Sequence, residues 1–357
     1  MTDLFSPLPL GSITAANRIL MAPLTRCRAE GDHVPTALMA EYYAQRASAG
    51  LIIAEATMIL PGNSAFWHEP GIYSDEQIEG WRRVTDAVHQ ASGKIALQIW
   101  HGGRACHPDL NAGAIPVAPS ALAIRHEEVH TPNGKQAYTL PRALLDDEIP
   151  AIVEGFAQAA RNAITAGFDM VEIHGANGYL LDQFLRDGSN LRAGPYGGSV
   201  ENRARLLLET VAAVCEAVGA DKVGLRLSPL NSFNDMQDSD PIHLLGWLAT
   251  RLNDYRLAFL HLMRSDFYGR QTGDVVSVAR QNFRGPLIAN MGYTPEEAKN
   301  AVASGQVDAV AFGTAFLANP DLPARIHQQH ELNEPDPTTF YTTGAKGYTD
   351  YPAIGSV

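Results

Sequence analysis

Eight short runs of consecutive apolar residues recur along the 357-residue chain, each followed by a stretch with helical periodicity. They lie at residues 19–23, 51–56, 95–100, 170–174, 223–228, 257–262, 286–290 and 309–313. A strand with one wet face alternates apolar and polar residues. A continuous apolar run needs cover on both faces, which a parallel sheet wrapped in helices provides. The intervening segments carry helix ends. Ser74-Asp75-Glu76-Gln77 and Thr294-Pro295-Glu296-Glu297 are capping boxes, and Gly93 and Gly305 close the helices they open. Apolar stripes through Ile149, Ile152, Phe156 and Ala160 and through Leu207, Leu208, Val211 and Val214 end at Gly167 and Gly219. Eight strand–helix units predict a (β/α)8 TIM barrel spanning residues 1–357 as a single domain.

Strand starts are roughly 20 to 55 residues apart, except for a gap of about 75 between the third and fourth. Residues 106–145 therefore read as an insertion capping the barrel mouth, with Thr131-Pro132-Asn133-Gly134 as a turn between short extended pieces. Residues before Ile19 are expected to form a hairpin at the barrel bottom, and the segment from Glu331 onward a packed extension.

The charge balance narrows the function classes. Lys+Arg of 27 against Asp+Glu of 39 gives a net charge of −12, which disfavours nucleic acid and anionic lipid as partners. No apolar stretch is long enough to cross a membrane, the first residues lack the pattern of a signal peptide, and three widely spaced cysteines suit a reducing compartment. A cytoplasmic location is expected, with oligomeric state left open.

Barrel enzymes carry their chemistry at the C-terminal ends of the strands. Of the five lysines, Lys94 and Lys222 stand at strand beginnings, so no Schiff-base lysine is offered at the active face. His126-Glu127-Glu128-Val129-His130 matches a zinc-protease string, but Pro132 and Gly134 forbid the helix that chemistry needs. A solvated loop and no metal are expected. Arg226 stands in an otherwise apolar strand, where an unpaired guanidinium is costly. It meets either a structural counter-ion or an electron-rich cofactor. Backbone N–H groups at the glycine-containing ends of strands seven and eight stand where barrels commonly hold phosphate. Together these features are what flavin mononucleotide (FMN) would require. His174, Asn177 and Tyr179 follow strand four; such a triplet either packs and caps or polarises a carbonyl and delivers a proton.

These residues stand in longer motifs: Met21-Ala22-Pro23-Leu24-Thr25-Arg26, then His174-Gly175-Ala176-Asn177-Gly178-Tyr179-Leu180, Tyr196-Gly197-Gly198-Ser199, and Gly347-Tyr348-Thr349-Asp350-Tyr351-Pro352. Over nearly its whole length the chain resembles the Old Yellow Enzyme family of FMN-dependent ene-reductases. The resemblance implies non-covalent FMN, NADPH as reductant and activated alkenes as substrates: α,β-unsaturated carbonyls, maleimides or nitroalkenes. Thr25 would bond the flavin O4, with Pro23 and Leu24 in the same cofactor site. Ala56 and Gln98 would line the ring, and Arg226 would face N1 and O2. His174 and Asn177 would grip the substrate oxygen, and Tyr179 would donate the proton. Trp100, Phe66 and Tyr348 would wall the substrate cavity.

Asn290, Met291, Gly292, Gly313 and Thr314 would hold the phosphate. There the chain departs from the family, which usually carries arginine at the position of Thr314 and glycine at that of Met291; weaker flavin retention is the expectation. Cys27 is expected to be incidental. Two alternatives remain: a nitrate-ester or nitroaromatic reductase on the same site, and a flavin-free phosphate-binding lyase or isomerase.

Overall fold

The computed structural model describes residues 2–355. A hairpin of β1 (Leu8–Leu10) and β2 (Ile13–Ala15) precedes the barrel strands β3 (Ile19–Met21), β4 (Ile52–Met58) and β5 (Ile95–Trp100). The insertion then contributes β6 (Val117–Ala118), β7 (Glu128–Thr131), β8 (Gly134–Ala137) and β9 (Arg142–Ala143). The barrel resumes with β10 (Met170–Gly175), β11 (Val223–Leu227), β12 (Phe259–Met263), β13 (Leu287–Asn290) and β14 (Ala309–Phe312). These eight strands pair in parallel and close on themselves, β5 against β10 and β14 against β3, as expected of a (β/α)8 barrel.

The helices are α1 (Ala37–Gln45), α2 (Asp75–Gln90), α3 (Ile149–Thr165), α4 (Leu180–Leu185), α5 (Val200–Val218), α6 (Pro241–Leu252), α7 (Val275–Asn282), α8 (Pro295–Ala303), α9 (Thr314–Ala318) and α10 (Leu322–Gln328). Both expected capping boxes form, with Ser74 and Thr294 accepting from the N–H of Gln77 and Glu297. Gly167 and Gly219 leave their helices at φ 95° and 92°, a region that glycine reaches without steric cost.

Strand boundaries differ from the sequence reading by a few residues. β3 stops at Met21 because Pro23 has no N–H to extend the ladder. β4 runs on to Met58 through a bulge: Ala54 pairs with Leu97 but Thr57 with Ile99, so one extra residue stands on β4. The bulge buries Glu55, which accepts from the Arg26 N–H and the Tyr43 hydroxyl. It also turns Ala56 into an apolar cluster with Trp100 and Tyr179 at the mouth.

Within the insertion β7 and β8 form an antiparallel hairpin across Thr131–Gly134, and β6 pairs with β9. His130 therefore stands on a strand, not in a solvated loop as expected, because Glu128–Thr131 alternates exposed and buried residues against its partner. Ile124 and Tyr138 of this segment pack into the mouth cluster.

The segment beyond Glu331 is clasped by three buried arginines. Arg26 donates to the carbonyls of Phe340 and Gly347, Arg28 to those of Thr339 and Phe340, and Arg46 to that of Tyr348. Gly347 sits at φ 64° so close to Thr339 that a Cβ there would lie 1.9 Å from its hydroxyl.

Candidate active site

The polar residues of the barrel interior collect on neighbouring strands. Arg226 on β11 stands in register between His174 on β10 and His261 on β12. One layer away, Glu172 on β10 faces Gln98 on β5. Gln98 Nε2 donates to Glu172 Oε1 at 2.7 Å, and His261 Nδ1 lies 2.8 Å from Glu172 Oε2. Arg226 is 6% exposed and its Nε has no hydrogen-bond partner among the described residues. His174 Nδ1, His261 Nε2 and Asn290 Oδ1 are likewise buried and unpartnered. A folded chain rarely leaves this many buried polar atoms unmatched in one place. The set suits a planar ring with carbonyl oxygens and a ring N–H.

Burial holds the His174 imidazole well below its ordinary pKa, and the Arg226 charge adds to the effect. It is neutral at neutral pH, able to donate one N–H. Asn177 sits at φ 58°, where asparagine is tolerated better than most residues. Its N–H donates to Ser228 Oγ, and its Oδ1 accepts from Asn231 Nδ2 at 2.9 Å. With Oδ1 so engaged, the NH2 of Asn177 is the end left for a ligand. Tyr179, 6% exposed, packs edge-on to Trp100 at 4.3 Å and to His174 at 5.1 Å. Burial raises its phenol well above the ordinary 10, and the charges of Tyr138, Tyr341, Glu69 and Glu127 act in the same direction. His174 and Tyr179 thus meet at the end of β10, a neutral imidazole beside a protonated phenol, and Asn177 stands on the chain between them.

Phe66 joins this group, 6.1 Å from the Trp100 ring. Tyr348 does not. It is fully buried, stacked on Tyr42 at 3.9 Å, with the Arg26 and Arg28 guanidinium groups 5.1 and 4.6 Å from its ring. The arginine clasp draws residues 347–348 into the core and leaves Tyr341 of the same segment stacked on Phe66 at 5.8 Å. Tyr341, not Tyr348 as the sequence reading expected, is thus the tyrosine of this segment that reaches Phe66. The sequence reading also missed Glu172, His261 and Asn231. Glu172 and His261 carry the signal that singled out Arg226, a polar residue inside an apolar strand.

Pro23 is buried, and Leu24 and Thr25 are half-buried, on the segment that leaves β3. A Cβ on Gly313 would lie 3.5 Å from Leu24 Cδ2, so the ends of β3 and β14 adjoin. Beyond β13, Met291 and Gly292 have φ of 87° and 67°. Their carbonyls accept from Arg264 at 2.8 and 2.9 Å. Thr314 is exposed at the start of α9. Cys27 is buried at φ 57°, and burial raises its thiol far out of the nucleophilic range.

Residues 3–333 match the model of the NADH:flavin oxidoreductase / NADH oxidase family. The chain is 52% identical over 354 residues to a probable flavin mononucleotide-dependent alkene reductase of Leishmania infantum, covering 98% of this chain and 97% of that one. It is 42% identical to 12-oxophytodienoate reductase 1 of Oryza sativa subsp. japonica, covering 99% and 94%. Among solved structures, the old yellow enzyme of Trypanosoma cruzi superposes with a TM-score of 0.96 at 46% identity, covering 99% of each chain. Morphinone reductase superposes at 0.95 and 46% identity, covering 99% of this chain and 96% of that one.

Proposed function

The chain belongs to the NADH:flavin oxidoreductase / NADH oxidase family, as a flavin oxidoreductase of the Old Yellow Enzyme type, and from that premise we propose that it is an FMN-dependent ene-reductase drawing its electrons from NADPH. Its substrates on this reading are alkenes activated by a carbonyl or nitro group. The observation that carries the reading is the unpartnered Arg226 guanidinium lying in register beside His174, at the strand end that also bears Asn177 and Tyr179. A buried cation whose Nε has no hydrogen-bond partner among the described residues suits a ring that becomes electron-rich when reduced.

FMN, when bound, would supply the redox chemistry by which a hydride from NADPH reaches an activated alkene. Gln98 and Arg226 would hold the pyrimidine edge of the ring, with Pro23, Leu24, Thr25 and Ala56 around it. Asn290, Met291, Gly292, Gly313 and Thr314 would hold the phosphate.

His174 and the Asn177 NH2 hold the substrate oxygen, where negative charge develops as the β carbon is reduced. Each such donor is commonly worth about 3 kcal/mol. Tyr179 delivers the proton to the α carbon. Its raised pKa keeps the phenol protonated, so its proton remains available up to about pH 10. Trp100, Phe66 and Tyr341 bound the space left for substrate.

The test is an anaerobic visible spectrum of the FMN-loaded protein, before and after NADPH and then an enone. The flavin band is expected to bleach with NADPH and return with the enone. Tyr179→Phe is expected to bleach as fast as the wild type and to recover at least tenfold more slowly. A variant that recovers at the wild-type rate removes Tyr179 as the proton donor.

A further inference from the structure

Glu172 is buried in the middle of β10 and engages both its oxygens with side chains from two other strands. A carboxylate can only accept. The Gln98 amide must therefore turn its NH2 toward Glu172, and Oε1 is the atom it can offer to a ligand. By the same logic His261 carries its proton on Nδ1. Burial keeps that ring neutral, outweighing the pull of Glu172, so Nε2 is left as a bare, unpartnered acceptor. Arg226 can only donate, and the Glu172 charge supports its own. A single carboxylate thus fixes the hydrogen-bond polarity of this buried cluster and offsets part of the Arg226 charge.

We propose that Glu172 is a positioning residue for flavin recognition and redox tuning: it holds Gln98 with its carbonyl toward the mouth, so that the pocket demands an N–H on the edge of the bound ring, and it balances Arg226. The role rests on the flavin reading above. It requires Gln98 to accept from the flavin N3–H while Arg226 donates to the adjoining carbonyl. A glutamine at position 172 can turn its amide either way, so Gln98 is no longer held in one orientation. Arg226 then faces the ring without a compensating charge.

Apoprotein of the wild type and of Glu172→Gln is titrated with FMN and with 3-methyl-FMN, which lacks the N3–H. Midpoint potentials are read from both FMN-loaded proteins against a reference dye. The wild type is expected to bind the methylated flavin roughly tenfold or more weakly, the scale of a lost buried hydrogen bond. E172Q is expected to discriminate less, and its midpoint potential to move positive, a shift that a purely structural role would not produce. A folded E172Q with unchanged discrimination and unchanged potential overturns the proposal. Should E172Q fail to fold, Glu172→Asp replaces it. The shorter carboxylate keeps the charge but cannot reach Gln98, so discrimination is expected to fall while the potential holds; wild-type discrimination in E172D overturns the proposal. A wild type that takes up no FMN overturns the flavin reading itself.

Discussion

Tyr341 and Tyr348 belong to the same segment but differ in what supports them, and so in what their removal does. Tyr341 is 60% exposed and touches Phe66, whereas Tyr348 is wholly buried against Tyr42 and two guanidinium groups. Tyr341→Ala is expected to change the relative KM values of bulky and small enones while leaving thermal stability within ~0.5 kcal/mol. Tyr348→Ala is expected to cost ~3–5 kcal/mol of stability, the usual range for an aromatic removed from a core. Steady-state kinetics and denaturant melts of both variants separate the two roles; a selectivity change confined to Tyr348→Ala reverses the assignment. The sequence could not tell these tyrosines apart, because the arginines that choose between them lie some three hundred residues away. Glu172 and His261, though missed, carried a local signal by contrast, since each breaks an apolar run as Arg226 does.

Elements were readable where their cause is local. Both capping boxes and the glycines that end α3, α5 and α8 involve residues within a few positions of one another. The β4 bulge was not readable, since it depends on Glu55 meeting Arg26 and Tyr43 from other elements. The loops after β13 and β14 combine both cases. Glycine is favoured at positions with φ near 87°, yet Met291 occupies one, while the adjoining carbonyls are tied to Arg264. On the proposed reading Thr314 would bring only a hydroxyl to the phosphate. Thr314→Arg is expected to tighten FMN binding by ~1.5–3 kcal/mol, the worth of a charged hydrogen bond. Fluorescence titration of the apoprotein checks this, and an unchanged dissociation constant would mean that the backbone alone sets retention.

For the molecule as a whole, buried carboxyls tie stability to pH. Burial pushes Glu69 up to about 8 and Glu55 up to about 7, from an ordinary 4.5. The folded protein keeps these protons over a range where the unfolded chain has lost them. Their contribution is therefore greatest below about pH 4.5 and falls as pH rises through about 8, by on the order of 4 kcal/mol for Glu69 alone. Glu69→Gln, which still accepts from the Ala65 N–H, is expected to flatten that fall in melting temperatures taken across the window. A variant whose melting temperature declines as steeply as the wild type's shows that other groups set the slope. The arginine clasp has a further consequence, one of timing. Arg26 waits for the carbonyl of Phe340, 314 positions later. At 5–20 residues per second that delay is roughly 15 to 60 s on the ribosome. Until then Arg26 and Arg28 lack the carbonyls they hold in the folded chain. The Phe66–Tyr341 contact is thus made only after residue 341 has been added, and a nascent barrel has that side open until then.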